Sequence, residues 1–494
     1  MASPTPAAIL FDLYGTLVKA GSRPLSRRLP EALGVSRVAW TTVLKDGLLT
    51  RPFAGDEDFA RFLAEALVPE RAGEGAAVCL ELLRAERESV SAVPGVRSLL
   101  AFLKRRGVKL GLVSNLASPF REVVRTLGLE PAFDAVAYSC DEGVSKPDPR
   151  IYRLVLERLA VAAEDALFVG DNVPNDVRAP AALGLRTAGV GVPGGDATLA
   201  SVAALGLLDL SRPPYRPRIP EGLAVSVGGE EARVESVTPV ADGEQGRYNL
   251  VYRLDAVRPD GTPATLFAKR FLLPETVHVE EFAYRLQALT GLPCCSAAIL
   301  PGAEPLLLVT AAPGLKFDGR LTEFVARGLG AHLVFAYLFS NADVRPRNAF
   351  VAAETVRLVD LEHCFFNLAI DTSGLERPDR PETFDRMPAG ELAGRVKKTV
   401  LTPRATRRAR REFFGDTAQG SALDTAYREG WISFYAAQKA RAGELLEALR
   451  ERVHAEPPLV IGTQGYRRAM AEVDVDDVRA RLDLDPEAAL AATW

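Results

Sequence analysis

The sequence predicts an α/β domain with a parallel sheet faced by helices on both sides, carrying a helical insertion and followed by an α+β module. Three observations predict it. Short apolar runs alternate with amphipathic stretches from Ala7 to Val169, which is the pattern of strand–helix–strand units. Ser211–Gly222 contains four prolines, which continue neither a helix nor a central strand. Beyond that break, a run of strands is followed by a run of helices. The 494 residues correspond to two to four domains at ~100–200 residues each.

Taken in order, the first strand is Ala7–Phe11, ending at Asp12. Val108–Val113 ends at Ser114, Ala135–Tyr138 is the third strand, and Ala166–Val169 ends at Gly170-Asp171. Gly95–Arg106, Pro119–Leu127 and Arg150–Leu159 have helical periodicity between them. In such sheets ligands bind beyond the carboxyl ends of the strands, and the polar residues of interest lie there. The stretch Val18–Pro94 reads as a helical insertion, with Glu57–Leu67 and Gly75–Glu88 its clearest helices. A bundle over strand ends acts as a lid. After the Pro-rich linker, Arg233–Val240, Tyr248–Asp255 and Thr265–Phe271 read as strands, with Asp260-Gly261 a hairpin signal. A helix over Thr276–Thr290, a strand near Pro305–Thr310 and a mostly helical remainder complete the chain.

Composition narrows the function classes. Apolar residues are 48% and charged residues 25%, ordinary globular usage that excludes disordered or collagen-like chains. The formal net charge of -4 gives no global basic footprint for nucleic acid. Five cysteines in so long a chain form no disulfide framework and suggest a reducing compartment. No apolar run approaches the ~20 residues that span a bilayer, and no signal peptide is read at the N-terminus. The expected location is cytoplasmic.

Four segments carry the chemistry of the first domain: Asp12-Leu13-Tyr14-Gly15-Thr16-Leu17, Ser114-Asn115, Lys146 within Ser145–Pro149, and Asp171 with Asp176 within Gly170–Asp176. Each alone has a bland reading, as a helix cap or a surface loop. In this order at strand ends they resemble the haloacid dehalogenase-like superfamily over about residues 5–195. The resemblance implies a Rossmann-like core with a helical C1-type cap. In the chemistry the resemblance implies, a carboxylate attacks and forms a covalent intermediate, and Asp12 would be that nucleophile. Clustered acids need a cation, and Mg²⁺ fits oxygen ligands. Asp12, the Tyr14 carbonyl and Asp171 would ligate it, with Asp176 in support. Ser114 would donate to a phosphoryl oxygen, and Lys146 would neutralise charge.

One departure stands out. Tyr14 occupies the place of the second Asp that family phosphatases use as general acid–base, and a phenol near pKa 10 is a poor base at neutral pH. The DLYGTL spelling resembles the metal-independent 2-haloacid dehalogenases, whereas Asp171 and Asp176 keep the metal site. The expectation is a Mg²⁺-dependent phosphate hydrolase acting through an aspartyl-phosphate. A dehalogenase and a degenerate binding domain remain as alternatives.

The second constellation begins at Asp343, followed by Arg345 and Asn348, a hairpin Ala349–Ala352 and Val356–Val359, then Asp360. It resembles the catalytic and metal loops of protein-kinase-like enzymes. That resemblance implies an α+β two-lobed domain that binds ATP and Mg²⁺. Asp343 would take the acceptor proton, Asn348 and Asp360 would hold metal, and Arg345 would lie near the γ-phosphate. Lys269 would bind the α- and β-phosphates, held by Glu281, with Glu280 the competing choice. Gly243 and Gly246 would lie in the loop over the phosphates. Pro305–Gly314 would be the adenine hinge. Asn341-Ala342 replaces His-Arg and Asp360-Leu361-Glu362 replaces Asp-Phe-Gly, and the segments Glu281–Leu286 and Val359–Phe365 resemble the phosphatidylinositol-kinase-like and bacterial toxin-kinase groups more than ordinary protein kinases.

The expected organisation is a hydrolase over 1–210 (core 1–17 and 95–210, cap 18–94), a linker over 211–222, and a kinase-like domain over 223–494 with lobes 223–312 and 313–494. Together they make a bifunctional phosphoryl-transfer protein; an ATP-sensing pseudokinase fused to the hydrolase is the alternative. Expected partners are a small-molecule or phosphorylated substrate, ATP, and a protein or RNA acceptor met by the basic run Arg404–Arg411. The pair Cys294-Cys295 reads as buried packing, and His363 as packing behind the proposed metal loop.

Overall fold

A computed structural model describes residues 6–21, 23–43, 47–210, 215–242, 249–302, 304–341, 343–352, 355–362, 364–365, 368–370, 374, 396–398, 401–415, 417–457, 459–463, 466–469 and 472–493. Gly243, Gly246 and His363 lie outside the described residues. The chain divides into two compact units, 1–220 with 238–251, and 221–237 with 252–494.

In the first unit, β1 (Ala8–Phe11) is buried at every position, which is why it reads as an unbroken apolar run rather than an alternating one. It lies between β4 (Lys109–Ser114) and β6 (Ala166–Gly170), parallel to both. With β5 (Ala135–Tyr138), β7 (Arg186–Val190) and β8 (Ala197–Leu199) it forms a six-stranded sheet in the order β5-β4-β1-β6-β7-β8. The expected parallel sheet is present. The sequence reading missed β7 and β8, whose Thr187, Gly189 and Thr198 interrupt the apolar signal. The helices α5 (Val96–Arg105), α6 (Arg121–Thr126) and α7 (Pro149–Leu159) connect the strands. Ile151, Tyr152 and Val155 of α7 pack on Leu10, Val113 and Phe168 of the sheet.

The insertion rises from a two-stranded stem, β2 (Val18–Ala20) paired antiparallel with β3 (Val90–Ala92). It comprises α1 (Leu25–Leu33), α2 (Arg37–Val43), α3 (Asp56–Leu67) and α4 (Ala72–Ser89). These helices have their own core of Leu29, Phe59, Leu63, Cys79 and Leu83, so the insertion is a subdomain on a stem. The Pro-rich stretch is only partly a linker. Arg216 pairs with Asp209, and Tyr215 and Ile219 are buried; residues 215–220 therefore pack into the first unit.

The second unit opens with β9 (Ala224–Val227), β10 (Glu230–Pro239), β11 (Leu250–Val257) and β12 (Pro263–Arg270), then α8 (Val277–Leu289), β13 (Ala297–Leu300) and β14 (Leu306–Thr310). The sheet order is β9-β10-β11-β12-β14-β13. A smaller sheet joins β15 (Leu315–Lys316), β16 (Ala349–Ala352) and β17 (Thr355–Leu358). The helices are α9 (Glu323–Leu338), α10 (Leu401–Phe414), α11 (Ala422–Ala440), α12 (Ala442–His454), α13 (Glu472–Leu482) and α14 (Pro486–Thr493). Helices α9 and α11 cross at Gly330 and Gly430, where a Cβ on Gly430 would lie 2.1 Å from the Arg327 carbonyl oxygen. Only the missing side chains allow that approach. No helix among the described residues is long and apolar enough to cross a membrane.

Candidate active sites

In the first unit the parallel register pairs Phe11 with Leu112 and with Val169. Asp12, Ser114 and Asp171, one or two residues beyond these positions, therefore lie together at the carboxyl ends of three adjacent strands. Asp12 and Ser114 are buried. Lys146 comes from a distant loop, and its backbone is fixed by Asn115: the Asn115 amide donates to the Lys146 carbonyl at 2.8 Å and accepts from the Lys146 N–H at 2.7 Å. The ammonium then donates to Asp12 Oδ1 at 2.6 Å and to Asp176 Oδ1 at 2.7 Å. Asp176 is held in turn by the Asn172 N–H, at 2.9 Å from its other oxygen. Sequence reasoning had given Asn115 no role; its adjacency to Ser114 at a strand end was the available signal.

Carboxylate oxygens of Asp12, Asp171 and Asp176 lie within 4.8 Å of one another. Three carboxylates then face one ammonium. Burial first, then the Asp12 and Asp176 charges, push the Asp171 carboxyl up to about 6. Burial likewise raises Asp176. Burial alone would lower Lys146, but the two carboxylates outweigh it and hold its pKa up. The surplus negative charge suits a hard cation with oxygen ligands. Gly15 leaves the room: at its φ of +85° a Cβ would lie 2.0 Å from Asp171 Oδ2. A cavity of about 240 Å³ lined by Gly15, Thr16, Lys19 and Asp171 adjoins the cluster.

Tyr14 departs from the acid–base place it was weighed for. Its hydroxyl is buried with no hydrogen-bond partner among the described residues, and its ring meets Phe120 edge-on at 6.1 Å. Burial, then the Glu86 carboxylate, raises its pKa further. A larger cleft of about 460 Å³ lies between insertion and core, lined by Phe53, Asp56, Arg87, Arg121, Tyr138 and Asp141 among others.

In the second unit, Lys269 of β12 is buried and its ammonium meets Glu280 at 2.8 Å, Asp360 at 2.7 Å and Glu362 at 2.9 Å. The glutamate that reaches Lys269 is Glu280, not Glu281. Neighbouring residues on a helix point about 100° apart, so α8 turns Glu280 into the core and Glu281 outward to Arg285 at 3.0 Å. Burial, outweighing the pull of Lys269, pushes the Glu280 carboxyl up to about 7. The β16–β17 register pairs Ala349 with Leu358, which brings Asn348 and Asp360 together at the open end of the hairpin. Asn348 Nδ2 donates to Asp360 Oδ2 at 3.3 Å. Asp360 is in the left-handed region at φ +66°, and its N–H donates to the Tyr284 hydroxyl at 3.3 Å. Glu362 had not been singled out; its place two residues after Asp360 was the signal. Arg345 turns to Asp343, with Nε 2.6 Å from Oδ1.

Residues 6–184 match the model of the haloacid dehalogenase-like hydrolases. A phosphoserine phosphatase of Thermus thermophilus is 34% identical over 208 residues, covering 38% of this chain and 80% of the relative. A phosphoglycolate phosphatase of Rhodospirillum rubrum is 31% identical over 228 residues, covering 41% of this chain and 87% of the relative. The crystal structure of a HAD phosphatase from Thermococcus onnurineus shares 26% identity and covers 40% of this chain and 95% of its own, at a TM-score of 0.30.

Proposed function

The chain belongs, through residues 6–184, to the haloacid dehalogenase-like hydrolases, and on that premise we propose that its first unit hydrolyses phosphate esters with Asp12 as nucleophile. One observation carries the reading: Lys146 bridges Asp12 and Asp176 at 2.6 and 2.7 Å, with Asp171 completing the acidic cluster. An oxygen of Asp12 bonds to phosphorus as the ester P–O bond breaks, and the alkoxide leaves with a proton from solvent. Water then attacks the aspartyl-phosphate, releasing inorganic phosphate and restoring the carboxylate. Lys146 holds Asp12 in place and offsets charge on the phosphoryl oxygens, and Ser114 donates a hydrogen bond to them. Bound Mg²⁺, held by Asp12, Asp171 and Asp176, would supply further charge neutralisation. Asp12→Asn is the test: turnover of an aryl phosphate with Mg²⁺ is expected to vanish, and unchanged turnover excludes the nucleophile. Activity on a 2-haloacid that survives a chelator would instead favour the dehalogenase reading, for which the DLYGTL segment speaks.

The second unit reads as a kinase-like phosphotransferase. The contacts of Lys269 with Glu280 and Asp360, and of Asn348 with Asp360, support that reading. Lys269 would bind ATP phosphates, Asn348 and Asp360 would hold Mg²⁺, and Asp343 would accept the proton of the acceptor hydroxyl. ATP loss that needs Asp343, followed by phosphorus NMR, is the expected result. ATP binding without loss, in the presence of acceptors, would reduce the unit to a nucleotide sensor.

A further inference from the structure

The basic run is a face, and it ends at Asp343. On α10, Arg404, Arg407, Arg408 and Arg411 are exposed, while Thr406, Ala409 and Phe413 are buried. The exposed arginines recur at i, i+3, i+4 and i+7, so they form one stripe. Arg410 is the exception: it turns inward and its Nη2 meets the buried Asp424 at 3.3 Å. Among the described residues, an acidic neighbour on the stripe is Glu412, 3.6 Å from Arg408. Arg408 Nη2 also lies 3.9 Å from Asp343 Oδ1, on the carboxylate that Arg345 already contacts. A proton-accepting carboxylate with guanidinium groups beside it is set for a hydroxyl whose neighbours are negatively charged.

We infer that Arg404, Arg407, Arg408 and Arg411 bind the acceptor of the second unit, and that this acceptor is a small alcohol already carrying phosphate. The inference rests on the kinase-like reading of that unit. One observation favours a small polyanion over a nucleic acid. Seven residues of helix span only about 10 Å, room for two or three phosphates. Planar guanidinium groups suit bidentate contact with phosphate oxygens. The acceptor hydroxyl would attack the γ-phosphorus of ATP, its proton passing to Asp343 and ADP leaving.

The test uses the full chain with fructose 1,6-bisphosphate, fructose, a ten-residue RNA and a Glu-rich peptide as probes, followed by calorimetry. The triple variant Arg407→Gln/Arg408→Gln/Arg411→Gln is expected to bind the bisphosphate about tenfold or more weakly, since it loses charge-assisted contacts to phosphate oxygens. Its thermal midpoint should match wild type, and Arg23→Gln, on the first unit, should bind as wild type. Equal bisphosphate binding by the triple variant overturns the inference. So does tighter, arginine-dependent binding of the RNA or the peptide. Arginine-dependent bisphosphate binding without ATP consumption, in wild type as in Asp343→Asn, leaves the anion site standing and removes the kinase-like reading instead.

Discussion

Lys146 and Asp12 are 134 residues apart in sequence and 2.6 Å apart in space, an ammonium on a carboxylate in a buried pocket. The same ammonium serves Asp176 at 2.7 Å. Neither carboxylate is stable there unpaired, because a lone buried charge costs several kcal/mol. Lys146→Met is therefore expected to lower the stability of the first unit by about 3–5 kcal/mol and aryl phosphate turnover by about 10²-fold or more. Urea unfolding and steady-state turnover at saturating Mg²⁺ check the two effects separately.

Gly15→Ala addresses the cation without removing a charged group. The added Cβ would sit 2.0 Å from Asp171 Oδ2, at a φ of +85° that alanine rarely adopts. Asp171 must move. The expected outcome is a folded protein whose Mg²⁺ requirement rises about tenfold or more, read from the metal dependence of aryl phosphate hydrolysis. An unchanged metal dependence would remove Asp171 from the ligand set.

Glu280 and Glu281 should separate cleanly. Glu280 contacts buried Lys269, whereas Glu281 pairs with Arg285 near the surface. Glu280→Gln is expected to cut ATP consumption by about 10²-fold, as the loss of an ATP-positioning ion pair implies. Glu281→Gln should leave it within about twofold, since Glu281 is turned away from Lys269 toward Arg285. ADP formation by both variants, measured side by side, decides.

His332 makes the stability of the second unit pH-dependent. It is buried, with Nε2 2.8 Å from the Val356 carbonyl oxygen and Nδ1 3.5 Å from Gln287 Nε2. Burial, with a smaller push from Arg357, lowers its pKa to about 4. The folded imidazole stays neutral while the unfolded one takes up a proton below its ordinary value of about 6.5. Its contribution is therefore complete above pH 6.5 and is lost as pH falls toward 4, by about 3 kcal/mol at the lower end. Unfolding free energies at stepped pH should show this slope in wild type and a shallower one in His332→Gln.

Gly430→Ala tests the helix crossing in the second unit. Its Cβ would meet backbone atoms of Arg327, 2.1 Å from the carbonyl oxygen, and backbone yields less easily than a side chain. Overpacking typically costs about 1–3 kcal/mol, and α9 and α11 must separate, so a loss at or above that range is expected by thermal or urea unfolding.

The sequence by itself determined the parallel sheet, the helical insertion and the family of the first unit. Strand runs such as Ala7–Phe11 are apolar throughout because both faces are covered, and the residues that end them are polar because ligands meet strand ends. Those signals are local, so a linear reading recovers them. The short β7 and β8 escaped because pairing with a neighbouring strand defines them, not apolar content. Tertiary structure decided what local pattern cannot carry. Glu280 rather than Glu281 meets Lys269 because the docking of α8 chooses which face is inward. The Tyr14 hydroxyl is left buried beside Phe120, and burial together with Glu86 raises its pKa. Arg345 and Arg408 meet at Asp343 because a helix more than fifty residues downstream folds back onto that loop. A side chain's charge state and partner depend on the solvent and the neighbours it is left with, and folding alone fixes both.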